Sequence, residues 1–430
     1  MNISIDQIAT PNIKFLKIAI WLYFLLWIFE GALRKWILPS LATPLLVVRD
    51  PIAIFIILKA LNSGVKFVNP YVVISFIFTL LSLAITLTFG HGNLFVGLYG
   101  ARIMLLHFPV IFIIGAVFKQ NDILQIGYVM LMVNIVMTVL IYFQFTSPQD
   151  AYVNIGIGGE GSAGFDGAMG YFRPSGTFSF ITGLSSFYIV ASVFIFYFWL
   201  SKKPCSTILL ISSTIALLIA LPLTVSRGAV IGVLIVGVFA FLGSSTSFKA
   251  IIKIVYTVAI LSILFVILQK TTTIFNLGTE VFMNRVDTAS SQKGGSIVLR
   301  SIEGFTLPLI ELLDQPILVG NLGMGTNAGA KMLTDKTDFL ISEGELGRLG
   351  GEQGILFGGG LIALRLILAI SLFYQSIRLP NNLKLLPLTL CGTALTLIAQ
   401  GQWAQPSVLG CAVLAAGLLV ASINSNKEMV

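Results

Sequence analysis

The stretch "YFRPSGTFSFITGLSSFYIVASVFIFYFWLSKK" (171–203) sets the reading of the whole chain. Its apolar part, Thr177–Leu200, is long enough to cross ~30 Å of hydrocarbon as a helix. It is bounded by Arg173 and Pro174 before it and by two lysines after it. A lysine would stop a membrane helix as well as an arginine does, so the arginine at one end and the lysines at the other pose a question of sidedness.

The composition bears out the apolar reading along the full length. Of 430 residues, 56% are hydrophobic and 10% charged, where a soluble domain carries about 25% charged residues. The mean hydropathy is +0.96. Apolar segments at 13–34, 44–61, 70–90, 101–118, 122–146, 177–200, 206–223, 228–243, 249–268, 353–374, 383–400 and 403–422 predict an all-α, polytopic integral membrane bundle of about twelve transmembrane helices. The first segment runs into Glu30 and Arg34 without a small-residue cleavage site, so it reads as a retained helix and not a signal peptide. The organisation expected is a nine-helix region over 1–268 with an outer loop at 147–176, a large extracytoplasmic loop at 269–352, and a three-helix region at 353–430. Cys205, Cys391 and Cys411 show no metal spacing and are assigned to packing.

Lysine sets the orientation. With both termini cytoplasmic, the inner pieces hold Lys14, Lys17, Lys59, Lys66, Lys119, Lys202, Lys203, Lys249, Lys253, Lys384, Lys427 and Arg378. These twelve positive charges stand against Asp6, Asp122 and Glu428, a net +9, and leave the remainder of the chain at −1. The basic balance is thus a topology signal, with no nucleic acid implied.

Arginine behaves differently. Of ten arginines only Arg378 falls on the inner side; the rest lie in outer loops or within helices, mostly near their outer ends. The positive-inside rule does not separate arginine from lysine. A planar guanidinium that binds phosphate in a bidentate fork and keeps its charge when buried does separate them. Arg34 and Arg49 have acids nearby (Glu30 four residues before Arg34, Asp50 beside Arg49), so ion pairing competes with ligand binding there, and Arg285 and Arg365 read mainly as structural. Arg173, Arg227 and Arg300 have no acid within two residues, and Arg348 is flanked at helical spacing by Glu345 and Glu352. In "SIVLRSIEGFTLPLIELL" (296–313) apolar residues recur at intervals of two to four, predicting an amphipathic helix that lies on the membrane surface or caps a cavity; "DQPILVGNLGMGTNAG" (314–329) reads as a shaped loop.

Four pieces resemble the O-antigen ligase/polymerase family, membrane glycosyltransferases that use undecaprenyl-diphosphate-linked sugars: "RPSGTFSFITGLSSF" (173–187), "TVSRGAVIGVLI" (224–235), "RSIEGFTLPLIELLDQPILVGNLGMG" (300–325) and "EGELGRLGGEQGILFGGGLIALR" (343–365). The likeness covers about residues 170–370, with "EGALRKWILP" (30–39) adding weakly. It implies a GT-C-like membrane fold and polymerisation of lipid-linked repeat units into O-antigen, capsular or exopolysaccharide at the outer leaflet of a bacterial inner membrane. The partners implied are undecaprenyl-diphosphate-linked glycans, membrane lipids, a chain-length regulator and a flippase. Ligation of finished polymer to another acceptor is the alternative, and transport of lipid-linked sugars a second one. Ligases of the family have a histidine in the large loop where this chain reads "DKTDFLI" (335–341), and His91 and His107 lie elsewhere, which favours polymerisation.

On this reading Arg173, Arg227, Arg300 and Arg49 bind the lipid diphosphate. Glu345 is the first choice to receive the acceptor's proton, with Glu343, Glu352 and Asp338 as other carboxylates and Arg348 as a further charge stabiliser. Pairing of Glu345 with Arg348 is an equally good structural account. No ligand spacing proposes a metal and no Gly-x-x-x-x-Gly-Lys occurs, so no cofactor is expected and the donor diphosphate supplies the driving force.

Overall fold

The computed structural model describes residues 13–161, 164–201, 205–244, 263, 265–291, 297–318, 323–326 and 344–427, with the side chains of 289–302 and 305 left aside. The helices used below are Ile13–Ala32 (α1), Arg49–Asn62 (α2), Pro70–Phe89 (α3), Leu94–Arg102 (α4), Phe108–Val117 (α5), Gln120–Thr146 (α6), Ile181–Leu200 (α7), Thr207–Leu223 (α8), Arg227–Gly243 (α9), Thr273–Ser291 (α10), Ile297–Leu313 (α11), Glu345–Gln353 (α12), Gly360–Ile377 (α13), Leu385–Gln400 (α14) and Pro406–Lys427 (α15).

Among the described residues, seven helical stretches are long and apolar enough to cross a membrane: Ile13–Ile37, Pro70–Phe89, Leu94–Val117, Gln120–Thr146, Ile181–Leu200, Glu345–Ile377 and Pro406–Lys427. The expected twelve spans are therefore only partly matched. Helices α8, α9 and α14 are apolar but have 17, 17 and 16 residues, or roughly 24–26 Å at 1.5 Å per residue. The expected segment 44–61 is shorter still as a helix. Pro39 and Pro44 each open a 3-10 turn, and α2 begins only at Arg49. Most of 249–268 lies outside the described residues.

Helix α3 shows which environment its outer face is built for. Its buried positions include Ser75, Thr79, Ser82 and Thr86, spaced for one face, while Val73, Ile77, Leu80 and Leu81 are exposed. In water this pattern would be inverted. In lipid, an apolar exterior costs nothing and small hydroxyl residues allow close helix approach. Pro70 at the first turn and Asn69, whose side chain accepts from the Val72 N–H at 3.2 Å, start the helix.

The core gathers around α15, which packs against α5 and α14 and is buried on nearly every side. Small residues permit this approach: a Cβ on Gly417 would sit 2.8 Å from that of Ile114. Cys391 and Cys411 are free and buried in this interior, and Cys205 is free and half-buried. Helix α9 packs on α14 and α7, and α6 on α8. Three π-helical stretches, Leu33–Ile37, Ile103–His107 and Gly354–Gly359, interrupt α-helical runs beside buried charged residues, a distortion that often marks functional positions.

The segment 147–176, expected as a long loop, contains regular structure. A short antiparallel hairpin forms from Phe165–Ala168 (β1) and Tyr171–Arg173 (β2), with Phe165 opposite Arg173. The turn needs positive φ at Met169 and Gly170, which Gly170 supplies without steric cost. The amphipathic helix expected at 296–313 is present as α11, with Pro308 inside it.

Candidate anion-binding site

The segment after Arg173 is non-helical backbone held among helices, and it is satisfied by Lys35 of the π-helical stretch after α1, by Gln144 of α6 and by a carbonyl of α1. Lys35 Nζ donates to Ser175 Oγ at 2.9 Å and to the Gly176 carbonyl at 2.8 Å. Gln144 Oε1 accepts from the Gly176 N–H at 2.8 Å, and the Thr177 hydroxyl donates to the Ile28 carbonyl at 2.6 Å. Gly176 sits at φ +58°, and Gly31 lets the backbone of Phe178 and Ser179 lie directly on α1. Irregular backbone within a membrane protein persists only where protein meets its hydrogen bonds in this way. The result is a rigid platform with Arg173 at its edge.

Helix α9 brings the second arginine. Val225 takes a left-handed conformation at φ +46°, which turns the chain sharply out of α8. Ser226 then caps α9, its Oγ accepting from the Ala229 N–H at 3.3 Å and lying 2.9 Å from Ser185 Oγ on α7. Arg227 follows as the first residue of the helix, where free N–H groups already favour an anion.

The third arginine comes from α10. Arg285 donates through one Nη to the carbonyls of Asp166 (2.9 Å) and Gly167 (2.8 Å), tying the hairpin to that helix. Burial, then the charges of Arg285 and Arg227, push the Arg173 pKa down to about 10; burial and Arg227 lower that of Arg285. Three cations thus repel one another, and among the described residues no carboxylate pairs with any of them. Arg173 Nε is buried and has no hydrogen-bond partner. Guanidinium groups so placed can donate to an anion with several acceptor oxygens.

The other expected residues fall elsewhere. Arg300 lies on α11, and its side chain is among those left aside; Asp338 and Glu343 lie outside the described residues. Glu345 is fully engaged: Arg348 binds both its oxygens at 2.9 and 3.0 Å, and Arg365 binds Oε1 at 2.6 Å. Arg348 also reaches Glu352 Oε2 at 2.7 Å, which accepts the Gly325 N–H at 3.1 Å. Arg365, over the Trp403 ring at 4.0 Å, donates further to the carbonyls of Ile398 and Gly401. These buried side chains form a closed network of charge pairs, and the geometry favours the structural account of Glu345 and Arg348.

Arg49 does not pair with its neighbour Asp50, as adjacency had suggested. It reaches Glu30 at 3.2 Å and the Pro406 carbonyl, because consecutive side chains on a helix point about 100° apart. Asp50 instead binds Arg102 at 2.7 Å and His107 at 2.9 Å. His107 is also within 2.8 Å of Tyr23 Oη, so it is a hydrogen-bonded core residue. His91 lies 3.0 Å from the Met324 carbonyl.

The sequence reading missed two contributors to the arginine site. Arg285 read as mainly structural, and it does tie the hairpin to α10, yet it pairs with no carboxylate among the described residues. Lys35, adjacent to Arg34, was passed over, although a buried lysine beside the glycine–threonine turn is what holds the platform. Among the described residues, no group of three His, Cys, Asp or Glu side chains could hold a metal. No family model matches the chain, and neither a curated protein nor a solved structure matches it.

Proposed function

We propose that this protein is a metal-independent membrane glycosyltransferase that polymerises lipid-linked oligosaccharide units, with a polyprenyl diphosphate as leaving group. The observation that carries the reading is the cluster of Arg173, Arg227 and Arg285, which has no carboxylate partner among the described residues. A diphosphate bound there brings the negative charge the cluster lacks, and its lipid tail suits the apolar exterior of the bundle.

The chemistry follows from the charges. An acceptor hydroxyl attacks the anomeric carbon, the C–O bond to the diphosphate breaks, and the hydroxyl proton leaves to a base or to water. Charge grows on the departing diphosphate, where fixed guanidinium donors stabilise it more in the transition state than in the ground state. Glu345, engaged by two arginines, is a poor proton acceptor, so the weight of catalysis falls on the leaving group. On this reading the arginine-rich end of the bundle faces outward. The end carrying the Lys17–Asp122 pair (2.7 Å) and Lys384 faces the cytoplasm.

A deletion strain tests the reaction class. Accumulation of single lipid-linked units supports polymerisation. Free full-length polymer points to ligation. Single units trapped on the inner leaflet, with none reaching the outer one, point to transport and refute the proposal.

A further inference from the structure

A second basic cluster lies beside α2 and α4, and it opens onto a cavity. The cavity has a volume of about 790 Å³ and is lined by Asp50, Tyr99 and Arg102 at its polar side and by Ile54, Phe95 and Leu98 on its apolar walls. Those three wall residues are exposed, on a helical surface whose other exposed residues are also apolar, so the cavity faces the region that lipid chains would occupy.

The polar side belongs to a continuous chain of charge contacts. Arg34 lies 3.7 Å from Glu30, and Glu30 lies 3.2 Å from Arg49. The Arg49 guanidinium stands 5.4 Å from the Tyr23 ring, and Tyr23 Oη contacts His107 at 2.8 Å. His107 reaches Asp50 at 2.9 Å, and Asp50 reaches Arg102 at 2.7 Å. A neutral imidazole satisfies both its contacts, with Nε2–H donating to Asp50 and Nδ1 accepting from Tyr23. The formal charge of the chain is then three arginines against two carboxylates, a net +1.

The donors are unbalanced in the same sense. Arg102 is 7% exposed, and its Nη2 has no hydrogen-bond partner, nor has the hydroxyl of Tyr99, which is 4% exposed and whose ring lies 4.2 Å from the Arg102 guanidinium. Arg34 Nη2 and Arg49 Nη1 are likewise buried without partners. Buried donors without acceptors and a buried net charge are both costly. One monoanion with acceptor oxygens, seated against Arg102 and Tyr99, balances the net charge and meets the two unpartnered donors that line the cavity, and an amphiphile also covers the apolar walls.

We infer that the cavity between α2 and α4 is a binding site for a singly charged anionic phospholipid: its phosphate lies against Arg102 and Tyr99, and its acyl chain runs over Ile54, Phe95 and Leu98. This site is separate from the Arg173 cluster and does not rest on the glycosyl-transfer reading.

Native mass spectrometry of the delipidated full-length protein tests it. Phosphatidylglycerol, phosphatidylcholine with the same acyl chains, and glycerol 3-phosphate are the probes. One phosphatidylglycerol retained per chain, at least tenfold more tightly than phosphatidylcholine and with no retention of glycerol 3-phosphate, is the expected result. Tyr99→Phe and Arg102→Gln should each weaken retention tenfold or more. Leu98→Trp, on the exposed wall where folding is undisturbed, should do the same by filling the groove. Equal retention of the two phospholipids refutes the anionic head, and retention of glycerol 3-phosphate refutes a lipid occupant. Wild-type retention by Leu98→Trp together with Tyr99→Phe places the lipid elsewhere and overturns the inference.

Discussion

Arg173 offers the sharpest test, because its surroundings make a function–stability conflict. Replacing it with methionine removes one of three mutually repelling cations and the unpartnered Nε. The folded protein should therefore be as stable as the wild type or more so, whereas a structural arginine would cost stability when removed. Catalysis should move the other way: loss of one preorganised donor to a developing oxyanion raises a barrier by about 2.7–4 kcal/mol, or about 10²–10³ in rate. Inorganic diphosphate provides a readout without turnover. A ligand present at about 100 times its dissociation constant stabilises by about 2.7 kcal/mol, so diphosphate should raise the melting temperature of the wild type and not of Arg173→Met. The lysine variant adds a pH signature. A lysine starts from about 10.4 and meets the same burial and the same two arginines, so its pKa falls towards neutrality. Anion binding needs the protonated form, so binding by Arg173→Lys should fade as pH rises above 7. The wild type should hold until pH approaches its own value of about 10. A well-expressed Arg173→Lys protein with normal polymer synthesis and a wild-type pH profile would refute the reasoning.

Three further outcomes are expected. Arg365→Met, which leaves the buried Glu345 short of a partner, should cost about 3–5 kcal/mol and appear as loss of folded protein on size exclusion; normal yield would show the network is dispensable. Cysteines at Tyr171 and Lys384, in a background without the native three, should react with an impermeant maleimide from outside intact cells at 171 and not at 384; the reverse pattern inverts the proposed topology. Polymer synthesis by the purified protein should survive EDTA, and restoration by magnesium after chelation would reveal a metal site.

Much of this was legible in the sequence because its signal is local. The long apolar runs and the amphipathic pattern of 296–313 depend on neighbours within a few residues, and helices form over most of them among the described residues. The uneven placement of arginine and lysine also reads directly from position, and it singled out Arg173 and Arg227. Helix length was less legible. Hydropathy continues through Pro39 and Pro44, while the backbone breaks there, so the segment at 44–61 shortens to α2.

Partner choice was decided only by the tertiary fold. Arg49 and Asp50 are adjacent in sequence yet serve different networks, and Glu345 meets Arg365 from twenty residues away. Arg285 joins Arg173 across more than a hundred residues because α10 packs on the hairpin. An ionic contact is set by distance in space, and helices that cross in a bundle bring together residues no spacing rule connects. Which of the described arginines have acids to neutralise them, and which do not, is therefore a property of the packing alone.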